Sequence, residues 1–107
     1  KYPHYIPALS NLASLYIDFH KYVDAIAIFK QMLKINPEFY RANLGLGLCF
    51  DKLEKYTFAI RYYKKYIAQK PNSPTSKSLV GRIFEIHTRR QKKSNKKIGK
   101  SLKLIKE

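Results

Sequence analysis

At 107 residues, with hydrophobic residues at 45% and a formal net charge of +15, the chain is one domain's worth of sequence, with enough apolar material for a modest core. That hydrophobic share is ordinary for a globular protein, but the charge is not, and it biases partners toward acidic proteins, nucleic acid or anionic lipid. The single cysteine, Cys49, excludes an internal disulfide, and no apolar run approaches membrane-spanning length.

The first predicted helix covers about residues 6–19 and the second about 22–35, with Pro3 ahead of the first and Pro37 after the second. The next two, about 39–53 and 56–69, repeat them. Displacing the chain by thirty-four residues sets Pro3 on Pro37, Ala8 on Ala42, Leu12 on Leu46, Tyr22 on Tyr56, Ala25 on Ala59 and Ile26 on Ile60. Ala13 then meets Gly47, Tyr16 meets Phe50 and Phe29 meets Tyr63. The fifth predicted helix, about 74–87, opens a third round. Pro71 aligns with Pro37, Val80-Gly81 with Leu46-Gly47 and Phe84 with Phe50, while Ser73-Pro74 reads as a helix cap followed by Pro at the first helical position. The round then fails, because Lys93 and Lys97 fall where Ala59 and Tyr63 stood. Self-similarity at this period means a stacked array of helix pairs.

Packing accounts for the matched residues. Ala13, Gly47 and Gly81 are small where paired helices would approach closely, and Ala25 and Ala59 would serve the same purpose on the facing helices. Tyr16, Phe29, Phe50 and Tyr63 are expected to fill the space between layers, each burying a large area. Gly45 has no such packing counterpart and is expected to open a groove. Cys49, beside Leu46, Leu48 and Phe50, is expected in the core as a small apolar side chain.

These residues resemble the tetratricopeptide repeat, whose signature is a large residue, Leu-Gly and Tyr on one helix and Ala, an aromatic and Pro on the next. The first repeat supplies Leu9, Leu12-Ala13, Tyr16, Ala25, Phe29 and Pro37, and the second Asn43, Leu46-Gly47, Phe50, Ala59, Tyr63 and Pro71. The resemblance implies an all-α fold, an α-solenoid of antiparallel helix pairs with about two and a half repeats. These would occupy about 6–39, 40–73 and a partial 74–87 within a domain over 1–87.

The family's concave groove is lined by the first helix of each pair, which places Asn11, Ser14 and Asp18 in it from the first repeat. Arg41, Leu44, Leu48 and Lys52 would follow from the second, and Ser78, Leu79 and Arg82 from the third. Three leucines facing water, Leu44, Leu48 and Leu79, call for an apolar peptide side chain or a neighbouring copy to cover them. Some members hold the C-terminal carboxylates of heat-shock chaperones in a clamp of Lys, Asn and Arg. Here Ser10, Ser14, Gly45, Thr75 and Leu79 stand at the matching places, so chaperone binding is not implied.

No catalytic constellation is present. His4, His20 and His87 occupy different places in the repeat and do not converge with Cys or carboxylates, so no metal, cofactor or enzymatic activity is expected. The last twenty residues, 88–107, hold nine Lys and Arg against one Glu. Arg89, Arg90, Lys92, Lys93, Lys96 and Lys97 form a basic tail, expected to be solvated. Beyond it Ile98, Leu102 and Ile105 recur at helical spacing, either as a short capping helix over 96–106 or as a frayed terminus. Without a visible signal peptide the expectation is a cytoplasmic protein, and an opening residue other than Met is expected of an excised piece.

The function expected is a protein-interaction scaffold that binds a peptide or an acidic partner domain in its groove. Two alternatives stay open: an anionic-membrane or nucleic-acid binder acting through the tail, and a self-assembling repeat protein. A weak homodimer through the first repeat is expected because Ile6, Leu9, Leu12 and Tyr16 have no preceding helix to cover them.

Overall fold

The thirty-four-residue period folds as helix pairs. The structure, a computed structural model, describes the backbone of residues 5–106 and the side chains of residues 5–90. Among these residues the chain forms α1 (Ile6–Asp18), α2 (Tyr22–Ile35), α3 (Tyr40–Lys52), α4 (Tyr56–Gln69) and α5 (Pro74–Lys106), with no strand. Helix α1 packs on α2 and α3 on α4 as pairs, while α2 on α3 and α4 on α5 join successive repeats. This is the all-α repeat architecture expected from the period.

Both helix pairs turn at the same place in the repeat. His20 and Glu54, thirty-four residues apart, each sit at φ 59°. The amide of Lys21 donates to the Tyr16 carbonyl at 2.7 Å, and that of Lys55 donates to the Phe50 carbonyl at 2.9 Å. One left-handed residue followed by a bond reaching back over it ends a helix and reverses the chain, a position that normally takes Gly. Glu54→Gly should therefore stabilise the chain by about 0.5–1 kcal/mol, since relief of left-handed strain outweighs the greater freedom of the unfolded chain. Urea denaturation reads that difference directly.

Small residues set the distance between helices. Ala13, Ala25, Ala42 and Ala59 are wholly buried. A Cβ on Gly47 would lie 2.4 Å from Cδ1 of Tyr63, so the Tyr63 ring rests directly on the α3 backbone. Gly45 does the same between repeats: a Cβ there would lie 2.3 Å from Cζ of Phe29. Gly45 therefore does not open a groove; it makes room for the aromatic of the preceding repeat. Cys49 is buried as a free thiol, and burial pushes its pKa up to about 11, so it stays protonated at neutral pH.

The expectations at the two ends of the stack are corrected. Gly81 was expected to seat a facing helix, yet no heavy atom lies within 4 Å of where its Cβ would be. The reason is α5, which runs unbroken through Lys93 and Lys97 where a sixth helix would have returned. At the other end Leu9 is buried in the core and Ile6, Leu12 and Tyr16 are half-buried, with α2 packed on α1. The large apolar side chains left exposed there are Tyr5, Leu15, Phe19 and Val23.

Helix α5 starts as its sequence implied. Ser73 Oγ accepts the amide hydrogen of Ser76 at 3.0 Å, capping the helix one residue before Pro74, and the buried Ser76 hydroxyl donates to the Lys70 carbonyl. It does not end near residue 87 but continues to Lys106. Arg90, assigned to a solvated tail, donates from Nη2 to Thr57 Oγ1 on α4 at 2.9 Å. The side chains of Lys92, Lys93, Lys96 and Lys97, and of Ile98, Leu102 and Ile105, lie outside the described residues, as do Pro3 and His4.

Candidate functional site

Helices α3 and α5 are the first helices of successive repeats, and a cleft of about 610 Å³ opens between them. Leu48, Asp51 and Lys52 line it from α3, Glu54 and Tyr56 from the turn and start of α4, and Tyr63 from the body of α4. Helix α5 closes it with Ser78, Leu79, Arg82 and Arg89. Five of the ten residues assigned to the groove from sequence thus meet in one place: Leu48, Lys52, Ser78, Leu79 and Arg82.

The centre of the cleft is a charged network. Arg82 donates from Nε to Asp51 Oδ2 at 2.8 Å and from Nη2 to Asp51 Oδ1 at 2.6 Å, a bidentate pairing across helices. The Tyr63 hydroxyl donates to the same Oδ2 at 2.8 Å, and Arg82 Nη1 also pairs with Glu85. Burial alone would raise the Asp51 carboxyl, but the bonds from Arg82 and Tyr63 and the nearby charges of Arg82 and Lys52 outweigh it. They hold its pKa below the ordinary aspartate value. Burial and then the Asp51 carboxylate raise the Tyr63 phenol far above its usual range. Arg82 is raised first by its hydrogen bond to Asp51, so its charge is fixed.

This network decides which expected residues are free to meet a ligand. Arg82 is committed to Asp51 and braces α5 against α3. Leu79, expected to face water, is only 6% exposed and belongs to the core, because α5 turns that side toward α4. Leu44 is half-buried against the same core, so of the three leucines Leu48 alone is exposed, at 42%. Asn11, Ser14 and Asp18 on α1 and Arg41 on α3 are exposed and lie outside the cleft. Lys52 and Arg89 line it with no ion pair among the described residues, leaving two cations beside an exposed leucine.

The repeat pattern gave no sign of Asp51, whose counterparts are Ile17 and Glu85, and Arg89 was placed in the tail. The available signal was a lone acid one turn from the Leu46-Gly47 motif, on the face that α5 approaches.

Among the described residues no group of three or more His, Cys, Asp or Glu could hold a metal ion, and no helix is long and apolar enough to cross a membrane. The chain is similar to the Intraflagellar transport protein 56 homolog of Caenorhabditis elegans, with 32% identity over 59 residues, which is 55% of this chain. It spans 10% of the length of that relative. The family model for the tetratricopeptide repeat matches residues 16–83, across α2, α3, α4 and the turns that hold His20 and Glu54. The chain belongs to the tetratricopeptide repeat family.

Proposed function

We propose that the α3–α5 cleft is the binding groove of a protein-interaction scaffold, taking a peptide or helix of a partner protein with an apolar anchor and flanking carboxylates. Tetratricopeptide repeats generally mediate protein–protein interactions, and their members are generally scaffolds rather than enzymes. The observation that carries the finer reading is the exposed Leu48 set beside Lys52 and Arg89 in one concave site. An apolar side chain seated on Leu48 supplies affinity, and the two cations select acidic neighbours and speed encounter.

Affinity capture with the wild-type chain, Leu48→Glu, Lys52→Glu and a chain truncated after Arg90 tests this. Leu48 and Lys52 are exposed, so both variants should fold as the wild type does. Capture lost in Leu48→Glu, weakened in Lys52→Glu and kept after truncation is the expected pattern. Capture lost on truncation, with a steep fall as salt rises, would instead assign binding to the basic stretch and to phosphate-bearing partners.

A second reading, weak self-association, draws on the exposed Leu15, Phe19 and Val23 around the α1–α2 turn. Sedimentation over a hundredfold range of concentration, with Phe19→Glu as the control, separates it from a monomer.

A further inference from the structure

Among the described residues one face of α5 is unpartnered, and the repeat itself describes what should cover it. Val80, Gly81 and Phe84 stand at the positions of Leu46, Gly47 and Phe50 on α3. There α4 covers them, leaving Leu46 0% and Phe50 9% exposed. On α5 Val80 is 56% and Phe84 73% exposed, with open space over Gly81 between them. An aromatic and a β-branched side chain in water, around a glycine that meets nothing, have the shape of a helix-docking face.

The contacts of α4 define the complement. Tyr63 lies over Gly47. Ala59, four residues before it, is wholly buried, and Phe58 and Tyr62 stack on Phe50 with ring centroids 5.2 and 5.8 Å away. Gln69 Oε1 accepts from Asn43 Nδ2 at 2.9 Å, and on α5 the place of Asn43 is taken by Lys77. A covering helix thus needs a small residue, an aromatic four positions later and, six beyond that, a carboxylate in place of the amide to meet the ammonium group of Lys77.

A second copy cannot supply it. The helices of this chain that carry the small-then-aromatic spacing on their packing face are α2 with Ala25 and Phe29 and α4 with Ala59 and Tyr63, and all four side chains are buried in their own pairs. A net charge of +15 also favours an acidic partner over a second copy at this face.

We propose that the Val80–Gly81–Phe84 face of α5 is a second interaction site, which receives an acidic amphipathic helix of a partner protein and so completes the third repeat in trans. The site is separate from the α3–α5 cleft and stands or falls independently of that groove.

The test uses a synthetic helix with the sequence of α4, Tyr56–Gln69, altered at one exposed position by Lys64→Glu and at its end by Gln69→Glu, and stapled across positions 61 and 65. Fluorescence anisotropy with the full chain should show saturable binding. Gly81→Leu should weaken it by at least about tenfold, equivalent to ~1.4 kcal/mol, without lowering the thermal midpoint of the free chain or its binding through the groove. Lys77→Glu should weaken it as well, and a peptide ending in Lys rather than Glu should restore binding to that variant. No saturable binding, or binding indifferent to Gly81→Leu, overturns the proposal. So does a dimer of the chain that Gly81→Leu dissolves, since a second copy would then be the occupant.

Discussion

Gly47→Ala should destabilise the chain by about 1–3 kcal/mol, while the same change at its repeat counterpart, Gly81→Ala, should stabilise it by up to about 1 kcal/mol. Intrinsic helix propensity favours alanine equally at both positions. What differs is the space. At Gly47 the new methyl would lie 2.4 Å from Cδ1 and 2.6 Å from Cε1 of Tyr63. That ring is 1% exposed and tethered through its hydroxyl to Asp51 at 2.8 Å, so it cannot swing clear without breaking the network. At Gly81 nothing lies within 4 Å, and only the propensity gain remains. For a domain of this size 1 kcal/mol moves the thermal midpoint by about 4–8 °C, so the two variants should melt on opposite sides of the wild type. A midpoint for Gly47→Ala at or above that of the wild type would mean that Tyr63 does not rest on α3.

The pair of glycines also marks how far the sequence could be read. The helix pairing was legible because the period of thirty-four residues carries small residues and aromatics at matched positions in two complete rounds, and packing needs them there. Contacts between repeats were less legible. Gly45 packs under Phe29 of the preceding repeat, a constraint that comparison of a residue with its own counterpart cannot reveal. The continuation of α5 was missed for a different reason. A run of Lys, Arg and Gln without apolar periodicity reads as solvated, yet those residues are good helix formers, and no Pro follows Pro74 to stop them. In the cleft, repeat position brought together Leu48, Lys52, Ser78, Leu79 and Arg82. It could not tell which of them were committed elsewhere, because the partner of Arg82 is Asp51, whose place the first repeat fills with Ile17 and only the third fills with an acid, Glu85.

That aspartate carries the second large effect. Asp51→Ala should cost about 2–3 kcal/mol in urea denaturation, because it strips the acceptor from both Arg82 and the buried hydroxyl of Tyr63. Arg82 keeps Glu85 and some contact with water, which holds the loss to that range. The pH dependence follows from the direction of each shift. The Asp51 carboxyl titrates lower in the folded chain than in the unfolded one, so its stabilisation is complete above the unfolded value of about 3.9. It is lost as pH falls through the lower, folded value. The Tyr63 phenol is shifted the other way. Its contribution is complete below the unfolded value of about 10 and is lost as pH rises beyond it, since the unfolded chain can release the proton while the folded chain holds it against burial and the Asp51 charge. Stability should therefore fall away on both sides of a broad plateau, and the two flanks should respond to different substitutions. Asp51→Asn should lower the plateau and flatten the acid flank. Tyr63→Phe should lower the plateau by about 1 kcal/mol and make the alkaline flank less steep above about pH 10, because the phenol that the unfolded chain would deprotonate is gone. The loss that begins near pH 9 belongs to the buried Cys49 thiol and remains. Unfolding midpoints in urea between pH 2 and pH 11 measure both. An acid flank in Asp51→Asn as steep as that of the wild type would show that the Arg82–Asp51–Tyr63 network contributes nothing to holding α5 against α3.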